Sequence, residues 1–277
     1  MNPKVEQLLK IPQYEQRSPE WFQQRNNAIT ASDIPTVLGE NSYKTPLSLL
    51  IDKCGANPKP FVGSAATKWG THYEDIAIER YSELRGKEVL SFGLIIHPEH
   101  PWLGGSPDGI TTDGILLEVK CPMRRKIVMG EVPHHYLSQV LLNLEICDLE
   151  LAHFIEFIPG NADDDFVINI VEVKRDREWF AKELPKMKRF WDSVLAAREK
   201  GIETNREYQE YRVRCQKRVR KSVSLPNQTL NIGEEEEKKN KCHFIEVEEQ
   251  NEENEQIKEV EPQKRSVKKN ICLFIEE

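Results

Sequence analysis

One stretch constrains this chain more than any other: Ser106-Pro107-Asp108-Gly109, followed by Ile115-Leu116-Leu117-Glu118-Val119-Lys120. Apolar residues lead a strand whose side chains alternate between faces, so Glu118 and Lys120 project to one side and Val119 into the core. Asp108 sits at a Pro-Asp-Gly turn before that strand, and a short strand-to-strand return would bring its carboxylate beside Glu118. Two carboxylates converging at a strand end repel, and burying them without a cation is costly. Mg²⁺ resolves that cost, because it takes oxygen ligands at about 2.0–2.1 Å and keeps several waters. The Val119 carbonyl, between the two side chains, is a third candidate ligand. Lys120 can then orient or help deprotonate a water held there, and can offset charge on an attacked phosphate. Either motif alone is ordinary, a turn or a solvated strand face. Together they point to metal-assisted phosphodiester hydrolysis.

Capping and periodicity place the surrounding elements. Ser18-Pro19 and Thr45-Pro46 each join an N-cap to a proline at the first helical position, before EWFQQR and LSLLIDKC. Gly55 closes the second helix, and a proline-rich loop follows. Residues 65–85 read as a long amphipathic helix, with Trp69, Ile76, Ala77 and Tyr81 near one face and Gly86 as its stop. Strands are expected at 89–97, 102–105 and 115–120, and a helix at 133–147. Two more strands, 151–158 and 166–173, flank the turn Pro159-Gly160-Asn161, and 176–200 forms a final long helix. This order gives an α/β fold with a mixed central β-sheet flanked by helices.

Composition sets the boundaries: a domain over 1–203, a basic helical extension over 204–224, and an acidic tail over 225–277. The tail is rich in Glu, Lys, Asn and Gln, cannot bury enough apolar surface to fold alone, and is expected to be disordered. The formal net charge is −7, but residues 234–277 hold 14 Glu against 8 Lys/Arg. The body is therefore nearly neutral, and residues 204–221 carry seven Lys/Arg against two Glu. A basic groove for nucleic acid is compatible with that distribution. No apolar run is long enough to span a bilayer, and MNPKVEQLLK lacks the apolar core of a secretory signal. Six scattered cysteines without CxxC pairs fit reduced thiols rather than a disulfide framework or a zinc site. An intracellular protein, in cytoplasm or nucleus, is expected.

Six blocks recur in a known order: Trp21-Phe22-Gln23-Gln24-Arg25, Ile29-Thr30-Ala31-Ser32-Asp33, Trp69-Gly70-Thr71-His72-Tyr73-Glu74, Ser106-Pro107-Asp108-Gly109, Glu118-Val119-Lys120-Cys121-Pro122 and Tyr136-Leu137-Ser138-Gln139-Val140. With them, residues 14–200 resemble the YqaJ-like viral recombinase family, PD-(D/E)xK nucleases of the phage lambda exonuclease type. The resemblance implies a restriction-endonuclease-like core and a 5′→3′ exonuclease acting on double-stranded DNA ends. The 3′ single strands it leaves would serve recombination, repair or replication, at sites of DNA replication and with a viral source in view. It also implies two Mg²⁺ or Mn²⁺ ions and a homo-oligomer, a trimeric ring. By position, Asp108, Glu118 and the Val119 backbone would hold metal, Glu74 would serve the second ion, and Lys120 would act on the nucleophile. Gln139 matches a motif glutamine that orients Lys120 or the water, and Arg25 and Ser32 match a pocket for a 5′-terminal phosphate. One departure stands out: where the family often reads Gln-Val-Gln, this chain has Gln139-Val140-Leu141. The second glutamine's role is absent or supplied elsewhere.

Arg124, Arg125 and Lys126 are candidates for further phosphate contacts, against the alternative of a solvated basic loop. His72 and the pair His134-His135 read as ordinary helix residues. Two other functions compete: a structure-specific endonuclease on the same core, and a catalytically silent DNA-binding scaffold. Intact Asp108, Glu118 and Lys120 weigh against the scaffold. In the tail, KKNKCHFIE (238–246) recurs as KKNICLFIE (268–276), identical at seven of nine positions. Such a repeat fits two strand-adding motifs for a partner, such as a single-strand annealing or replication protein. A duplication without function, or an extra strand docking back on the body, are its alternatives.

Overall fold

The capping signals set where the first helices begin. Ser18 accepts a hydrogen bond from the Trp21 amide at 3.2 Å, and Thr45 does the same for Ser48 at 3.2 Å. The computed structural model describes residues 1–57, 63–161, 165–223 and 271–274. Its first part holds α1 (Pro3–Leu9), α2 (Pro19–Asn26), β1 (Ile29–Thr30), α3 (Ile34–Val37), α4 (Pro46–Lys53) and α5 (Ala65–Arg85). Five strands follow: β2 (Val89–Leu90), β3 (Ile95–Ile96), β4 (Leu103–Gly105), β5 (Gly109–Thr111) and β6 (Ile115–Lys120). Helix α6 (His134–Cys147) leads to the long strands β7 (Leu151–Pro159) and β8 (Phe166–Lys174). Helices α7 (Arg177–Lys200) and α8 (Arg206–Val223) and strand β9 (Ile271–Phe274) end the described chain.

A six-stranded mixed sheet runs β2-β5-β6-β7-β8-β9, and a small sheet runs β1-β4-β3. Strands β6 and β7 are parallel, so the chain between them must cross over, and α6 makes that crossover. Leu117, Val119, Ile155, Phe157, Ile168 and Ile170 pack with Ala77 and Tyr81 of α5. The opposite face, with Leu116 and Phe154, packs with Val140 and Leu144 of α6 and Met187 and Trp191 of α7. The helices expected over 65–85, 133–147 and 176–200 and the strands over 115–120, 151–158 and 166–173 are present within a residue or two, and Gly86 ends α5 in the left-handed conformation at φ 60°.

The strand expected over 89–97 is instead two strands in different sheets, β2 against β5 and β3 against β4. The interruption has a cause: residues 13–16 cross there. Gln13 Oε1 accepts from the Gly93 amide at 2.6 Å, and Gln16 Nε2 donates to the Phe92 carbonyl at 2.8 Å. The short elements α1, β1 and β5 carry no periodic signal of their own, being two to seven residues long.

Met1–Tyr211 and the C-terminal strand belong to one unit. Of the second unit, Arg212–Val267, only helical residues 212–223 are described, so the basic extension is helical there. Most of the tail expected over 225–277, including the first copy of its repeat, lies outside the described residues. The exception is β9, from the second copy, which runs parallel to β8 with Ile271 opposite Ile168 and Phe274 opposite Val171. That pairing is the docking-back alternative for the repeat. Among the described residues, no helix is long and apolar enough to cross a membrane.

Candidate active site

The hairpin of β5 and β6 brings Asp108 to Glu118. Gly109 pairs with Leu117, the Asp108 amide donates to the Leu117 carbonyl at 3.2 Å, and Asp108 Oδ2 accepts from the Val119 amide at 2.6 Å. Strand alternation then turns Val119 toward α5 and Glu118 toward α6. Glu118 is fully buried, and all its bonds come from side chains on its own face. Lys120 Nζ and Gln139 Nε2 both donate to Oε1, and Asn143 Nδ2 donates to Oε2 at 3.1 Å. Lys120 Nζ also donates to the Val119 carbonyl at 3.2 Å. Its ammonium thus rests on two of the oxygens expected to meet a cation.

Gln139 and Asn143 stand one helical turn apart on α6 and reach the same carboxylate. Leu141, which stands where the resemblance would place a second glutamine, is buried in the core. Asn143 therefore supplies Glu118 with a second amide. Gly105 leaves room for it, since a Cβ there would lie 2.5 Å from Asn143 Oδ1.

A cavity of about 170 Å³ opens beside these groups. Asp108, Glu118, Lys120 and Gln139 line it together with Glu74 of α5, and Arg17, Trp21, Arg25 and Ser32 line it as well. Glu74 meets Arg17 at 3.4 Å. Arg25 donates to Ser32 Oγ at 2.8 Å, with its guanidinium 4.4 Å over the Trp21 ring. Among the described residues, no three His, Cys, Asp or Glu side chains are grouped so as to hold a metal ion. The donors that Glu74, Asp108 and Glu118 offer to the cavity are all oxygen, the ligand type of a hard cation such as Mg²⁺.

Electrostatics mark the same spot. Burial, and then the neighbouring Asp108, push both Glu118 and Glu74 up to about 7. Burial raises Asp108 as well. Burial works against the Lys120 ammonium, but Glu118 and Asp108 together outweigh it and hold this lysine protonated. Three carboxylates held up in this way store a demand for positive charge, which Lys120 and Arg17 meet in part.

Arg124 and Lys126 are exposed and line no part of the cavity. Arg125, expected to contact phosphate, is instead paired with the fully buried Glu156 of β7. A buried carboxylate needs a partner, and the nearby guanidinium satisfies it. His72 is exposed and stacks edge-on against Tyr73. Sequence reasoning missed Arg17 and Asn143. Arg17 adopts φ 70°, uncommon for a non-glycine residue and invisible in the sequence, whereas the four-residue spacing of Gln139 and Asn143 was a usable signal.

Residues 20–150 match the profile of the YqaJ-like viral recombinase domain. That segment holds the β5–β6 hairpin, both amides on α6 and every residue that lines the cavity except Gln16 and Arg17. The chain is 36% identical over 185 residues to the uncharacterized protein R354 of Acanthamoeba polyphaga mimivirus, covering 60% of this chain and 34% of that protein. It is 30% identical over 200 residues to the uncharacterized protein YqaJ of Bacillus subtilis, covering 69% of this chain and 61% of that protein. It thus spans about a third of the viral relative and less than two thirds of the bacterial one. Among solved structures, an alkaline exonuclease of Laribacter hongkongensis shares the fold at a TM-score of 0.57 and 23% identity, covering 69% of this chain and all of that one. The expected α/β fold with a mixed sheet flanked by helices is thereby established.

Proposed function

We propose that this chain is a divalent-metal-dependent 5′→3′ exonuclease on double-stranded DNA, leaving 3′ single strands for recombination, repair or replication. One observation carries the reading. A single cavity joins the Asp108, Glu118 and Lys120 cluster to the Arg25–Ser32 pair. Its first part suits hydrolysis of a phosphodiester, and its second suits a terminal phosphate. The fold shared with an alkaline exonuclease supports the same class.

Asp108, Glu118 and the Val119 carbonyl would hold Mg²⁺ or Mn²⁺, and Glu74 would serve a second ion. When bound, such ions supply positive charge to the attacked phosphate and activate the attacking water. Lys120 must leave Glu118 Oε1 and the Val119 carbonyl for this to happen. Its ammonium then stays at the cavity wall as a donor to a phosphate oxygen or to the water. Gln139 and Asn143 fix both Glu118 oxygens, so the carboxylate keeps its orientation as Lys120 moves. Arg25 and Ser32 offer a guanidinium and a hydroxyl to the 5′-phosphate, a geometry suited to charge-assisted hydrogen bonds. We place the protein on DNA ends as a homotrimeric ring, and its relative in mimivirus favours a viral source.

The test compares 5′-phosphorylated with 5′-hydroxyl duplexes in Mg²⁺. Faster digestion of the phosphorylated end, with that difference erased by Arg25→Ala, is the expected result. Equal rates on the two ends would favour endonuclease action instead.

A further inference from the structure

We propose that Lys53 keeps Arg25 available to an anion by taking Asp33 as its own counter-ion. This rests on the reading of Arg25 and Ser32 as a terminal-phosphate clamp, and it names two residues on which that clamp depends. Lys53, the last residue of α4, is buried, and its three donors are matched by three acceptors. These are Asp33 Oδ2 at 2.9 Å, the Arg25 carbonyl at 2.8 Å and the Ala28 carbonyl at 2.7 Å. Asp33 Oδ2 also accepts from the Thr30 amide at 3.0 Å and from Thr30 Oγ1 at 2.9 Å. Thr30 Oγ1 in turn lies 3.1 Å from Ser32 Oγ. One buried ion pair thus fixes the backbone that carries Arg25 and the loop that carries Ser32.

The charges matter more than the scaffolding. Among the described residues, the Arg25 guanidinium makes no ion pair. Its hydrogen-bonding partner is the neutral Ser32 hydroxyl, at 2.8 Å. Yet Asp33 is close enough to favour the charged form of Arg25, which burial disfavours. Asp33 is therefore the carboxylate that would claim Arg25 if it were free. Lys53 occupies it, so the positive charge at the cavity wall is left for a ligand. Removing Lys53 alone would leave a buried carboxylate uncompensated beside that guanidinium, and pairing the two would close the clamp to phosphate.

Steady-state digestion of 5′-phosphorylated and 5′-hydroxyl duplexes in Mg²⁺ tests this in the full chain, with thermal melting as the check of folding. Lys53→Met is expected to raise KM for the phosphorylated duplex roughly tenfold, the worth of a lost charge-assisted contact, with kcat and the 5′-hydroxyl rate little changed. Asp33→Asn/Lys53→Met, which removes the competing carboxylate too, is expected to restore that KM. A merely structural role would lower the melting temperature and the 5′-hydroxyl rate of Lys53→Met together, whereas a blocked clamp raises only the KM for the phosphorylated duplex. A folded Lys53→Met protein with the parent's preference, or a double variant as poor as the single one, overturns the proposal. If Lys53→Met does not fold, the neutral double variant decides alone: a normal 5′-phosphate preference supports the proposal and its loss overturns it. An unsubstituted protein with no preference at all would instead remove the clamp reading, a distinguishable result.

Discussion

In metal-free protein, the carboxylate cluster should make stability fall as pH rises, and Glu118→Gln should flatten that fall. Glu118 titrates near 7 in the folded chain against an ordinary 4.5. Between those values the folded state binds more protons than the unfolded one, so stability declines with rising pH through that window and levels above it. Each pH unit across that window is worth about 1.4 kcal/mol, which sets a scale of ~3 kcal/mol. Glu74 and Asp108 titrate with Glu118, so this figure belongs to the cluster rather than to each member. For a body of this size it corresponds to roughly 6–12 °C in Tm. Melting followed by circular dichroism from pH 5 to 8.5 in EDTA, for the parent and Glu118→Gln, isolates the cluster, because all other titrating groups are common to both. Mg²⁺ should raise the parent's Tm more at pH 8 than at pH 5.5, since it binds the ionised carboxylates, and should do little for Glu118→Gln. Parallel pH curves in the two proteins, or an equal Mg²⁺ effect on both, would refute the reasoning.

Asp108→Ala, Glu118→Ala and Lys120→Ala should each abolish hydrolysis while duplex binding in a gel-shift assay persists, because backbone phosphate contacts supply most affinity. Ca²⁺ should support binding without turnover, as its larger radius and looser geometry suit in-line attack poorly. Gly105→Ala should cost about 1–3 kcal/mol and reduce activity, since its Cβ would displace Asn143 from beside Glu118; chemical denaturation and a rate assay would read both. Light scattering should give about three times the 32.2 kDa chain mass, and a solution species of one chain mass would remove the ring.

The long elements were legible because their signals are local. Ser18-Pro19, Thr45-Pro46 and Gly86 announce helix ends, and 115–120 alternates as a strand must. Glu118 and Lys120 shared a face for the same reason. What escaped depends on distant contacts. The segment 89–97 is cut where residues 13–16 bond to Phe92 and Gly93, which no window around Gly93 contains. Arg125 reads as a free basic residue until Glu156, thirty-one positions away, is seen buried beside it. Lys53 and Arg17 enter the cavity's surroundings through tertiary packing alone. Asn143 is the exception, since helical spacing from Gln139 could have revealed it.

Directional hydrolysis from a 5′ end is tested most directly by a time course on one duplex labelled separately at each end. In Mg²⁺, the 5′ label should leave as a mononucleotide at the earliest times while the 3′ label stays on a long strand that ends single-stranded. Early release of the 3′ label, or internal fragments carrying either label, would contradict it.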